Sequence, residues 1–259
     1  MKKNQADTDR IFADAKLGDE PFCFDESVAS VFPDMLRRSI PGYAASLEAI
    51  GSLAGRYVKA GTRCYDLGSS LGAATLALRQ GIRASGCSII AVDNAPAMTR
   101  RCAEIFATDT AKNGNNVPVE LVLGDLSELP ISNASMVVMN YTLQFLAPEK
   151  RDAEILKIHD GLVDGGIFVL SEKVRDEDPH MESLLVDLYH EHKRRNNYSA
   201  LEIARKRAAL ENVLMPETVT EHRARLAKAG FENIAVWLRY FNFVSIIAIK
   251  SGPAAQPAL

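Results

Sequence analysis

The chain has 259 residues, 47% of them hydrophobic, with a formal net charge of -3 and a pI near 6.0. That length buries one sizeable core with room for an added subdomain, and the acidic balance gives no counterion-release drive toward nucleic acid or anionic membrane. No apolar run reaches the roughly 20 residues that span a bilayer, and the charged, polar N-terminal stretch does not read as a signal peptide, so a cytoplasmic protein working on small molecules is expected.

Residues 1–20 are polar and unpatterned and are expected to be disordered; 251–259, rich in Gly, Pro and Ala, is expected to fray; a single α/β domain is predicted over 21–250. Pro33 and the Ile40-Pro41-Gly42-Tyr43 step punctuate an N-terminal helical region that continues through Leu47, Ile50, Leu53 and Ala54. Next comes the richest stretch, Arg63 to Asn94: an apolar strand, a glycine turn, a helix, and a second strand ending in Asp93. This is half of a nucleotide-binding βαβ unit, with Asp93 spaced as a ribose-binding acid should be.

The glycines narrow the nucleoside. A dinucleotide turn wants G-x-G-x-x-G so that a pyrophosphate can sit on the helix N-terminus. From Asp66 this chain reads D-L-G-S-S-L-G, closer to the D-x-G-x-G-x-G turn of class I S-adenosylmethionine enzymes, with Ser70 in place of the middle glycine.

After Asp93 a helix is predicted from Pro96 through Phe106, then a polar loop over Thr110 to Asn116. Strands at 119–123 and 135–139 lead to Asp125 and Asn140; another spans 167–171; 234–239 and 244–249 make a terminal hairpin. The order implies a Rossmann-like, mostly parallel seven-stranded sheet with one antiparallel edge strand, ligands lying at the carboxyl ends where Asp66, Asp93, Asp125 and Asn140 fall. Between 175 and 215 lies a helical insertion, a predicted lid. Met181, Leu184, Leu185, Leu188 and His192 make one amphipathic stripe, and Ser199 with Glu202 a capping box. On the second helix Ile203, Arg207 and Leu210 share a spacing that puts a guanidinium on the apolar stripe. Arg207 either lays its stem on the core with its head in water, or pairs with Glu211 one turn on, or clamps a carboxylate.

Other residues admit plain alternatives. Tyr43 could be turn packing, Asp125 a helix cap and Asn140 a strand-end acceptor. The run Lys193-Arg194-Arg195 reads as a solvated helix face. Cys23, Cys64, Cys87 and Cys102 have no C-x-x-C spacing and the five histidines form no ligand set, so reduced thiols and no metal are expected.

Taken together, FDESVASVFPDM, RSIPGY, YDLGSSLGAATLALR, AVDNAPAM, NASMVVMNYTLQFL, LSEK, NNYSALEI and LAKAGFENIAVWLRYFNF resemble the carboxy-S-adenosyl-L-methionine synthase family, of class I methyltransferase fold, from about Phe24 to Lys250. The resemblance implies deprotonation of the S-adenosylmethionine methyl group to a sulfonium ylide that captures the carboxyl group released from prephenate, giving carboxy-S-adenosyl-L-methionine and phenylpyruvate. A tRNA carboxymethyltransferase would then use the product on wobble uridine. It also implies a homodimer and no direct contact with nucleic acid. Its ligand contacts fall on Tyr43, Gly68, Ser69, Ser70, Asp93, Asn94, Asp125, Leu126 and Asn140, with Arg207 reaching the product carboxylate from the partner subunit. Ser69 stands where the family more often has cysteine, and Asn197 where it has glycine. Plain methyl transfer, or nonenzymatic carriage of an S-adenosylmethionine derivative, are the competing readings.

Overall fold

Each apolar run becomes a strand of one seven-stranded sheet, ordered β3-β2-β1-β4-β5-β7-β6. The strands are β1 (Arg63–Leu67), β2 (Ser88–Asp93), β3 (Val119–Leu123), β4 (Ala134–Asn140), β5 (Leu162–Lys173), β6 (Asn233–Tyr240) and β7 (Phe243–Ile249). The structure is a computed structural model and describes residues 8–13, 22–113 and 117–252. Strands β1 to β5 run parallel, while β7 pairs antiparallel with both β5 and β6. The mostly parallel α/β sheet is the one expected; the single reversed strand lies one place in from the edge, because the hairpin inserts β7 between β5 and β6.

Eight helices are described: α1 (Glu26–Ser39), α2 (Tyr43–Tyr57), α3 (Ala73–Gly81), α4 (Pro96–Asn113), α5 (Pro148–Gly161), α6 (Pro179–Arg195), α7 (Ala200–Ala209) and α8 (Val219–Lys228). Strand alternation decides their sides. Cys64, Ile89, Met136, Val138, Ile167 and Val169 face Ile50 and Ala54 of α2 and Leu78 of α3. The intervening residues Tyr65, Val92, Val137, Met139, Phe168 and Leu170 face Ile155 and Ile158 of α5 and Leu226 of α8. With roughly 1.5–3 kcal/mol at stake for each large apolar side chain buried, a register slip in either layer would expose a whole row.

Three expectations change. Helix α4 does not stop near Phe106 but continues to Asn113, so Thr110 to Asn113 is helical, and 114–116 lie outside the described residues. The described part of the N-terminal stretch is packed, not frayed: Asp9 is 1% and Phe12 4% exposed. The rest of 1–20, and 253–259, lie outside the described residues. In α6 the buried positions are Tyr189 and Lys193, while Met181 and Leu184 of the predicted stripe stay exposed. The α6–α7 turn is tied down by Arg38 of α1, which donates to the carbonyls of Asn196 at 2.7 Å and Asn197 at 2.8 Å. Asn197 has φ +64, a left-handed conformation that favours glycine and that asparagine tolerates.

Candidate active site

The carboxyl ends of β1 to β5 open on two adjoining cavities. The smaller, about 230 Å³, lies over β1 to β3 and is lined by Gly68, Ser70, Asp93, Asn94, Asp125 and Leu126. The larger, about 400 Å³, lies toward α1 and the helical insertion and takes in Tyr43, Asp66, Ser69, Asn140, Lys173 and Lys206. Phe24, Gly68, Ser70, Tyr141 and Phe145 border both.

The first cavity is built by local turn chemistry. The carboxylate of Asp93 accepts from the amides of Ser70 at 2.8 Å and Ala95 at 2.9 Å, which locks the β1 turn to the end of β2. Burial raises its pKa. Ser70, at the middle glycine position of the motif, has φ +49, so the turn needs the left-handed conformation that glycine adopts freely and serine adopts at a cost. Gly68 has φ +80, and a Cβ there would stand 2.3 Å from the side chain of Thr142, so its freedom lets the β1 and β4 exits approach. Asp125 caps a short 3₁₀ turn, Oδ1 accepting from the Ser127 amide at 2.8 Å, while Oδ2 has no hydrogen-bond partner among the described residues. The alternative reading of Asp125 as a cap thus describes one oxygen and leaves the other available.

The second cavity is mostly apolar, with a few polar atoms left over. The Ser69 hydroxyl, Asn140 Oδ1 and Asp66 Oδ1 are buried without a partner, whereas Asp66 Oδ2 accepts from Thr75 at 2.6 Å. Buried orphans of this kind are uncommon in native folds and mark where a ligand completes the bonding. Burial, with the Asp93 charge nearby, pushes Asp66 up to about 6. Tyr43 opens α2 and packs near Tyr141, ring centroids 6.3 Å apart, and burial raises its pKa as well. It is therefore a packing residue and a lining residue at once. Behind Tyr141, the buried Glu172 accepts from the Leu143 amide at 3.0 Å, and burial lifts it to about 8. Gln144 accepts from the Lys173 amide at 2.9 Å, fixing the backbone from which that lysine projects.

Nine of the ten residues singled out from the sequence thus line these two cavities, and Arg207 does not. It is exposed and borders a separate groove of about 380 Å³ with His190, Arg194, Ile203 and Glu211. The apolar stripe of α7 is Ile203, Lys206 and Ala209, so the cation it buries is Lys206. The spacing from Ile203 admits either i+3 or i+4, and the pattern of one helix does not decide between them. Lys173 and Lys206 were both missed. Lys173 had a signal, since it follows the β5 run as Asn140 follows β4.

The geometry fits an adenosyl ligand: an acid for a ribose, a turn that passes backbone close by, and unpaired polar atoms along the second cavity. The methyltransferase domain family matches residues 65–170. In fold the chain is similar to a putative S-adenosyl-L-methionine-dependent methyltransferase from Methanococcus maripaludis, with TM-score 0.56 and 22% identity over 92% of this chain and 98% of that one. Human N-acetylserotonin methyltransferase, solved in complex with SAM, gives 0.58 and 18%, over 88% and 56%. Those likenesses establish the fold. The carboxy-S-adenosyl-L-methionine synthase of Trichlorobacter lovleyi is 52% identical over 94% of this chain and 98% of its own length. That of Pseudoalteromonas atlantica is 50% identical over 95% and 100%. With half the residues shared along nearly the whole of both partners, the chain belongs to the carboxy-S-adenosyl-L-methionine synthase family.

Proposed function

We propose that the enzyme converts S-adenosyl-L-methionine and prephenate to carboxy-S-adenosyl-L-methionine and phenylpyruvate. The observation that carries this reading is the near full-length relationship to synthases of that name. The adjoining cavities support it, because a carboxyl transfer needs the sulfonium methyl group of one substrate held against a second, anionic substrate. In the proposed reaction prephenate loses carbon dioxide and its ring hydroxyl, leaving phenylpyruvate. The methyl proton leaves with the hydroxyl as water, and the methyl carbon forms its new bond to the carbon dioxide. Asp93 accepts from the ribose hydroxyls, Asp125 Oδ2 from the adenine amino group, and Asn140 and Ser69 bond the methionine portion. The protein holds both substrates together and excludes water, with no protein base required.

Arg207 meets the new carboxylate across a homodimer. Its exposure on α7 and the exposed Leu184, Met181 and Leu201 on the same helical insertion support that arrangement. The product serves, in the cytoplasm, as the carboxymethyl donor for a tRNA wobble-uridine transferase. Plain methyl transfer to a neutral acceptor would leave the cationic lining of the second cavity without a role.

The test is mass spectrometry of the nucleoside recovered after incubation with both substrates. The expected product is one carbon dioxide heavier than S-adenosylmethionine, with phenylpyruvate formed in equal amount. A methylated acceptor and S-adenosylhomocysteine instead would establish methyl transfer.

A further inference from the structure

The most uneven feature of the molecule outside the nucleoside cavity is its charge. Lys173 at the end of β5, Lys193 in α6 and Lys206 in α7 gather round two tyrosine rings. Lys173 Nζ and Lys193 Nζ lie 5.4 and 5.0 Å from the Tyr189 ring, and Lys193 Nζ and Lys206 Nζ each lie 5.8 Å from the Tyr198 ring. Lys193 is 4% exposed and Lys206 7%. Among the described residues none of the three is in an ion pair. The nearest compensation for Lys193 and Lys206 is Asp9, whose Oδ2 already accepts from the Tyr198 hydroxyl at 2.5 Å. Lys206 donates to the Ser39 hydroxyl at 3.2 Å, a neutral partner.

Burying three ammonium groups against only Asp9, and Glu182 beside Lys173, with no direct ion pair, is costly, and it persists in a fold where a ligand supplies the missing anion. Lys173 and Lys206 both line the larger cavity, and the wall between them is apolar, with Phe32, Met35, Leu214 and Phe243. The amino-acid end of S-adenosylmethionine carries an ammonium beside its carboxylate, so it would call for one partner of each sign. Asp66 is the acid of this cavity, with Oδ1 unpaired, and can take that ammonium, which leaves three cations against one carboxylate, an excess that fits a further group of net negative charge.

We propose that Lys173 and Lys206 form a carboxylate subsite for the second substrate, a small acid with an apolar ring, and that Lys193 strengthens it from behind the tyrosines. This rests on the reading that a second, anionic substrate occupies the larger cavity.

The experiment is calorimetric binding of prephenate to the full chain loaded with S-adenosylhomocysteine, which cannot react, for the wild type, Lys173→Met, Lys206→Met and Lys206→Arg. Affinity for prephenate is expected to fall at least about tenfold in each methionine variant and to recover in Lys206→Arg, with S-adenosylhomocysteine affinity unchanged within about twofold, which also reports intact folding. Unchanged prephenate affinity in both methionine variants would overturn the subsite, as would an equal loss of S-adenosylhomocysteine binding, or no prephenate binding by the wild type. Turnover of the wild type separates the two proposals. Lysine-dependent binding without turnover removes the carboxyl transfer and keeps the subsite; turnover with lysine-independent binding does the reverse.

Discussion

The two cavities at the strand ends are built on opposite plans. In the smaller one the two acids are held by their neighbours in sequence or by the adjacent strand: Asp93 is braced by Ser70 and Ala95, and Asp125 through one oxygen by Ser127. In the larger one the walls come from segments far apart in the chain, among them α1, α2, β5, α6, α7 and β7, several polar atoms are left unpaired, and the ammonium groups have no ion pair. The difference matches the ligands proposed for them: a nucleoside is mostly neutral and hydrogen-bonded, so its site can be finished by the chain alone, whereas a site for an anion near a sulfonium is left electrically incomplete until the ligand arrives.

Breaking the braced cavity should give the largest effect. Asp93→Ala removes the acceptor of two amides and the proposed ribose acceptor together; at about 1.5–3 kcal/mol for a hydrogen bond to a charged group, S-adenosylmethionine affinity should fall about hundredfold or more by calorimetry. Arg207→Ala tests the other side: affinity for carboxy-S-adenosyl-L-methionine should drop at least about tenfold while S-adenosylmethionine binds as before. Unchanged affinity of the variant for carboxy-S-adenosyl-L-methionine would remove Arg207 from the site.

A pH series sharpens the contrast. Burial, with Arg38 adding and Asp9 opposing, brings Lys206 down to about 8, so its positive charge is complete well below that pH and lost above it. Burial, with Lys206 and Lys173 adding and Asp9 opposing, brings Lys193 down to about 7. KM for prephenate should therefore climb from pH 8 to pH 9 by up to about tenfold, while S-adenosylmethionine affinity stays level; Lys206→Arg should flatten the rise. The smallest effect belongs to the turn. Ser70→Gly relieves the left-handed serine and should add about 0.5–1 kcal/mol of stability after the extra entropy of glycine in the unfolded chain, read as a rise of about 2 °C in Tm.

The braced cavity was legible in the sequence because its determinants are short-range. An apolar run ending in an acid, a glycine turn and a second acid at the right distance are local patterns, and the sheet brings their ends together whatever lies elsewhere. The larger cavity was half hidden for the converse reason. Whether Lys206 or Arg207 faces inward depends on how α7 is rotated against α1 and Tyr198, and both phases satisfy the pattern of one short helix. Helix α4 likewise outran its expected end, because the loop-like composition of Thr110 to Asn113 was weaker than the continuing helix. The place of β7 in the sheet depends on pairing with distant β5, which no local signal reports.

That late strand sets an order of assembly. The strands under the smaller cavity, β1 to β3, and β4 beside them are synthesised by the time Asn140 is passed, whereas the register that pairs Lys173 with Phe243, and so closes the larger cavity, needs almost the last strand of the chain. Long-range pairing of this kind forms slowly. A nascent chain is thus expected to acquire the half that holds the smaller cavity first and the half that holds the larger one only on release, so that an arrested or clipped polypeptide ending before Phe243 lacks the second site that the proposed two-substrate reaction needs.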